Sequence, residues 1–177
     1  MNIGSVLFSA KGRIGQKTFW ITYGPILVIS IGLSFISRGD PSNRSLGLLV
    51  GLVSLLLLYP TICIYSKRLH DMGRSGWLQL LLYAVSLGLG IFVASRTIGP
   101  SMSAAMGAQG DQVAAQAAVQ AAVADVMASD PIVKFAPYIG MAISFAWALW
   151  LGLTPGNPGE NKYGAPEGEE TVSTSVV

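Results

Sequence analysis

The chain has 177 residues, 51% of them hydrophobic, with a mean hydropathy of +0.55 and only 11% charged. Soluble domains carry about 25% charged residues, so an ordinary water-soluble enzyme does not fit. The formal net charge of +2 is too small to argue for a nucleic-acid partner.

Charge is absent from four windows, 18–37, 45–66, 75–95 and 135–159. Crossing a hydrocarbon core of about 30 Å takes about 20 helical residues. The first predicted span, Phe19 to Ile36, follows Lys11, Arg13 and Lys17. No A-x-A-like cleavage site follows it, so it reads as a retained anchor rather than a signal peptide. The second span is Leu46 to Tyr65 and contains Cys63, the single cysteine, which excludes an intrachain disulfide. The third is Trp77 to Ala94 and the fourth Ile132 to Leu153. Backbone groups in lipid must be satisfied within the segment, and the alternation of barrel strands is missing, so each span is expected to be a helix. Pro25, Pro60 and Pro137 are expected to kink their spans unless they fall near an end.

Between spans three and four lies a polar insert, 96–131. Its Ala- and Gln-rich middle, Asp111 to Met127 with Gln112, Gln116 and Gln120, favours a surface helix capped by Asp111. It reads either as a solvated connector or as a partner-binding helix. Asp130 and Pro131 form an N-cap and first-turn pair for span four. Gly140, Ser144, Ala148 and Gly152 then give that span a small-residue ridge, suited to packing within the chain or to a homodimer face. The expected organisation is an all-α, four-span membrane domain over 1–164 and a flexible acidic tail over 165–177 with Glu167, Glu169 and Glu170.

Lys and Arg near span ends divide seven against four: Lys11, Arg13, Lys17, Lys67, Arg68, Arg74 and Lys162 on one face, Arg38, Arg44, Arg96 and Lys134 on the other. The basic excess predicts both termini in the cytoplasm. An even number of crossings also puts Trp20, Trp77, Trp147 and Trp150 on one side, as an aromatic belt would be.

The polar residues with specific spacing form three clusters on that face. Gly12-Arg13-Ile14-Gly15-Gln16-Lys17-Thr18-Phe19-Trp20 leads into span one. Lys67-Arg68-Leu69-His70-Asp71-Met72-Gly73-Arg74-Ser75-Gly76-Trp77 joins spans two and three, and Thr154-Pro155-Gly156-Asn157-Pro158-Gly159-Glu160-Asn161-Lys162-Tyr163-Gly164 follows span four. In this order the clusters resemble the bacterial inner-membrane family labelled domain of unknown function 805, with its GRxSRxxYW-like entry, RRLHDxGxSGW-like loop and PGxxGxNxYG-like exit. Gly15 and Gln16 stand where a Ser-Arg pair is usual, Phe19 stands for Tyr, and Lys67 replaces the first Arg of the loop. The resemblance implies a small multi-span inner-membrane protein and supplies no activity.

On a continued helix, Lys67 and Asp71 are four apart and Arg68 and Asp71 three apart, which predicts ion pairs. Gly73 is expected to end that helix in a left-handed conformation, and Ser75 to cap span three. His70 has no positioned catalytic partner, since adjacent helical side chains diverge by about 100°. A lone histidine also lacks a metal-ligand cluster. Two Pro-Gly turns send the exit segment back across the face, bringing Glu160 and Asn161 towards Arg13, Arg68 or Arg74.

The site expected from the sequence is therefore a cytoplasmic polar cap, or an anionic-lipid site, made by Arg13, Lys17, Lys67, Arg68, His70, Asp71, Arg74, Trp77, Glu160 and Asn161. Neither metal, cofactor nor nucleic acid is expected. The expected partners are membrane lipids with anionic headgroups, a second copy of the chain or another membrane protein. A non-enzymatic lipid-binding or protein-interaction module is the first functional reading, with a small transporter or channel as the alternative. Coupled transport usually needs an ionisable residue within the membrane, and the charge-free windows hold none.

Overall fold

A computed structural model describes residues 3–39, 43–108 and 110–168. Among these residues, six α-helices follow one another: α1 (Ile3–Phe8), α2 (Gln16–Gly39), α3 (Arg44–Asp71), α4 (Gln79–Gly107), α5 (Gln112–Ser129) and α6 (Pro131–Leu153), with a 3₁₀ turn at Gly76–Leu78. No strand occurs among the described residues, where the sole sheet-like feature is an isolated Asn161–Gly164 bridge. Among the described residues, four helices are long and apolar enough to cross a membrane, and the protein is an all-α, multi-span membrane protein.

The helices outrun the apolar windows at polar ends. α3 continues from the expected limit at Tyr65 to Asp71, carrying Lys67, Arg68 and His70 in helical register. α4 continues past Ala94 to Gly107 and takes in Arg96 and Pro100. Hydropathy marks where lipid begins, whereas helix ends follow caps and turn residues. Asn43 caps α3 by accepting from Leu46 N, and Gly73, at φ +70°, ends it as expected. Ser75 accepts from Trp77 N, Asp111 from Val113 and Ala114 N, and Asp130 from Ile132 and Val133 N. Pro25, Pro60 and Pro137 all lie inside helices.

The chain divides into two compact units. One contains the described residues of Met1–Gln79 and Ala148–Val177; the other is Leu80–Trp147. In the first, α2 packs on α3 around Phe19, Tyr23 and Tyr65, whose ring centroids lie 5.2 to 6.2 Å apart. Ile14, Phe19, Ile64, Leu69 and Leu151 are fully buried beneath the polar end of α3. By contrast, Leu48, Leu52, Leu55 and Leu56 of α3 are exposed, as side chains that meet lipid should be. Within the second unit, Arg96 Nε donates to Asp130 Oδ2 at 3.1 Å.

Glu169 and Glu170 of the acidic tail lie outside the described residues, as do the side chains of Arg38 and Arg44.

Candidate functional site

The polar end of the first unit is organised around Asp71, the last residue of α3. One helical turn earlier, Arg68 points the same way, so the expected i,i+3 pair forms: Arg68 Nη1 donates to Asp71 Oδ2. From the entry segment, Arg13 donates to the other oxygen, Oδ1, through Nε at 3.1 Å and Nη2 at 3.0 Å. Both arginines and the aspartate are buried.

Two buried guanidinium groups with one carboxylate leave an unbalanced positive charge, which would be costly without further acceptors. Seven backbone carbonyls supply them. Arg68 donates to Leu151, Thr154 and Ile14. Arg13 donates to Asp71, Asn157, Gly159 and Gly164. Leu151 belongs to the last turn of α6, where carbonyls lack helical partners and the helix dipole is negative. Gln16 Nε2 takes a further carbonyl of that end, Leu153 O, at 2.8 Å. The forked geometry of arginine serves this role; a lysine has no comparable planar array of donors.

The exit segment docks on the same centre. Asn157 N donates to Asp71 O at 2.8 Å. Gly156 lies so close to the Asp71 carboxylate that a Cβ there would overlap it. Asn161 Nδ2 donates to His70 O at 3.0 Å, while its Oδ1 accepts from Tyr163 N. That turn places the Tyr163 ring on the His70 imidazole, with centroids 3.8 Å apart and planes within 10°. His70 Nδ1 meets Gly12 O at 3.2 Å. A carbonyl only accepts, so the proton sits on Nδ1.

Five of the ten expected site residues therefore join one network: Arg13, Arg68, His70, Asp71 and Asn161. Lys67 does not form the expected i,i+4 pair with Asp71. Its Nζ donates to Ser5 O, while both Asp71 oxygens accept from arginine. Glu160 is also corrected. It is exposed, and the donors of Arg68 go to Asp71 and to backbone carbonyls. Lys17, Arg74 and Trp77 are exposed as well, with the Arg74 guanidinium 5.2 Å from the Trp150 ring centroid.

Glu167 carried no sequence signal beyond its place in an acidic tail. Its carboxylate accepts from Gly15 N at 2.6 Å and Thr18 Oγ1 at 2.7 Å, at the N-terminus of α2, where negative charge is favoured. It rims a cavity of about 480 Å³ whose lining includes Lys17, Arg68, Asp71 and Asn157. Tyr163 lies within the exit motif, but nothing local in the sequence marks it as the ring that packs on His70.

Chemically, the centre binds and fixes. Both oxygens of its carboxylate are engaged, and the His70 ring is stacked and hydrogen-bonded. Among the described residues, no three of His, Cys, Asp and Glu gather to hold a metal ion.

The chain is 38% identical over 88 residues to the uncharacterized protein YiiR of Escherichia coli strain K12, a stretch covering 48% of this chain and 56% of the relative. YiiR of Escherichia coli O157:H7 matches with the same figures. The chain thus spans little more than half the length of these curated relatives. No solved structure matches it. The family described as protein of unknown function (DUF805) matches residues 7–165, and the chain belongs to that family.

Proposed function

We propose that the protein is a non-enzymatic module of a bacterial inner membrane, with both termini in the cytoplasm, that presents a basic and aromatic face to anionic lipid headgroups. One observation carries this reading: the cations of the three motifs divide into two sets. Arg13, Lys67 and Arg68 are buried and engaged within the chain, so their role is architectural. Lys17, Arg74 and Lys162 are exposed, and Trp77 is 77% exposed. A tryptophan beside cations suits the headgroup level, where the ring contacts lipid and the indole N–H stays wet. The excess of Lys and Arg on this side supports a cytoplasmic location.

Basic side chains near an anionic leaflet contribute about 1 kcal/mol each. Replacing Lys17 and Arg74 together by Gln should therefore weaken retention of phosphatidylglycerol by about 2 kcal/mol, or about thirtyfold. Both residues lie outside the buried network, so the variant should lose no more stability than the Arg74–Trp150 contact supplies, about 0.5–1 kcal/mol. Native mass spectrometry from mild detergent measures the retained lipid. Equal retention by parent and variant, or none by the parent, would refute the proposal.

A further inference from the structure

The segment ahead of the cap contains α1, six residues that none of the three motifs includes. It packs along α3. Lys67 Nζ donates to Ser5 O at 2.5 Å, and Tyr59 Oη donates to Phe8 O at 3.1 Å. Both carbonyls lie among the last four of α1, which a helix cannot satisfy internally. In water they would be solvated, but in hydrocarbon an unsatisfied carbonyl costs several kcal/mol. Side chains of the spanning helix thus supply what a short helix needs at the edge of a membrane.

The chain's path sets the depth. Tyr59 precedes Tyr65, the end of the second apolar run, by six residues, about 9 Å of helical rise. The Phe8 ring stacks on Tyr59 with centroids 6.4 Å apart. Beyond Phe8 the chain returns to the polar end of α3, where His70 Nδ1 donates to Gly12 O. Phe8 is therefore the inward tip of a segment that enters and leaves on the same side.

The side chains of α1 differ in exposure. Val6 is 2% exposed, whereas Ile3 and Phe8 are each 64% exposed. Phe8 stacks on Tyr59, which shares a face of the membrane-spanning α3 with exposed Leu56 and Leu55, three and four residues earlier.

We propose that α1 is a re-entrant interfacial helix that seats Ile3 and Phe8 among lipid acyl chains beside α3. Its depth agrees with the 5–10 Å at which interfacial helices bury their apolar faces. The occupant of this surface is the acyl region of the bilayer. Lys67 and Tyr59 hold the helix there by completing its last turn.

Spin-label accessibility in the full chain tests the assignment. Replacing the single cysteine by Cys63→Ala permits labels at Ile3→Cys and Phe8→Cys, with Leu56→Cys as the lipid reference and Lys11→Cys as the aqueous one. The proteins are placed in phosphatidylethanolamine–phosphatidylglycerol vesicles, and collisions with oxygen and with a water-soluble nickel chelate are compared. Labels at both α1 positions should favour oxygen, as at Leu56, and Lys11 should favour the chelate. Chelate-dominated collisions at both α1 positions would place the helix in water and overturn the proposal. Low access to both reagents would mean that protein covers this face, which also overturns it. The Ile3 label leaves the Phe8–Tyr59 stack intact, so the test survives any disturbance caused by replacing Phe8.

Discussion

Arg13 holds Asp71 across 58 positions of sequence with two nitrogens on a single oxygen, leaving the other oxygen to Arg68. This division joins the entry segment to the end of α3, and the carbonyls gathered by the same arginines join both to the end of α6 and the exit turns. Asp71→Asn would preserve shape but remove the counter-charge from two buried guanidinium groups. Removing one partner of a buried ion pair typically costs 3–5 kcal/mol. A marked fall in the detergent melting temperature is therefore expected, with loss of protease resistance at the exit segment. An unchanged melting temperature would show that the carbonyls alone stabilise both arginines.

The exit turns offer a contrast between two glycines. A Cβ at Gly156 would overlap the Asp71 carboxylate, whereas one at Gly159 would meet nothing within 4 Å. Overpacking a rigid site typically costs about 1–3 kcal/mol, and an unconstrained surface change stays within about 0.5 kcal/mol. Gly156→Ala should lower the melting temperature clearly and Gly159→Ala should leave it nearly unchanged. Equal effects would show that the segment does not rest against Asp71.

Much of this was legible in the sequence, and the division has a physical basis. Four charge-free windows revealed the spans because lipid imposes a length and a composition on any helix that crosses it. The Arg68–Asp71 pair and the cap residues Gly73, Asp111 and Asp130 were legible because their partners lie within one helical turn. Arg13 finding Asp71 was not, since nothing local records which distant segments meet. Nor were the acceptors of Arg13 and Arg68, because a backbone carbonyl is the same in every residue type. Lys67 illustrates the competition: its spacing suited Asp71, but two arginines take that carboxylate and Lys67 donates instead to Ser5 O of α1.

That competition bears on Glu160. Charge and the two Pro-Gly turns suggest a pairing with Arg68, yet Glu160 is exposed while Arg68 is fully buried. Glu160→Arg should change stability by no more than about 0.5 kcal/mol, the usual range for an exposed site. Arg68→Glu should be severely destabilising, because it puts a second carboxylate against Asp71 and strips donors from three carbonyls. Combining the two should give no recovery. Measured as a double-mutant cycle in detergent, a coupling above about 0.5 kcal/mol would reinstate the contact.

In the second unit, Asp130 has a pH dependence of defined sign. Desolvation raises the pKa of its carboxyl, but the Arg96 hydrogen bond, the Val133 and Ile132 amides and the guanidinium charge outweigh it and hold the value below the usual carboxylate range. The folded protein then binds this proton less readily than the unfolded chain does. The contribution to stability is complete above the ordinary aspartate value of about 3.9 and is lost as pH falls through the lower folded value. The first turn of α6 should register the change, because Asp130 Oδ1 accepts from Ile132 N and Val133 N. Hydrogen exchange at these amides, corrected for its intrinsic pH dependence, should show constant protection near neutrality and a loss in acid. Asp130→Asn keeps a capping oxygen without a titrating proton, so its protection should lack that acid-dependent step. The same step in the variant would assign the effect to another group.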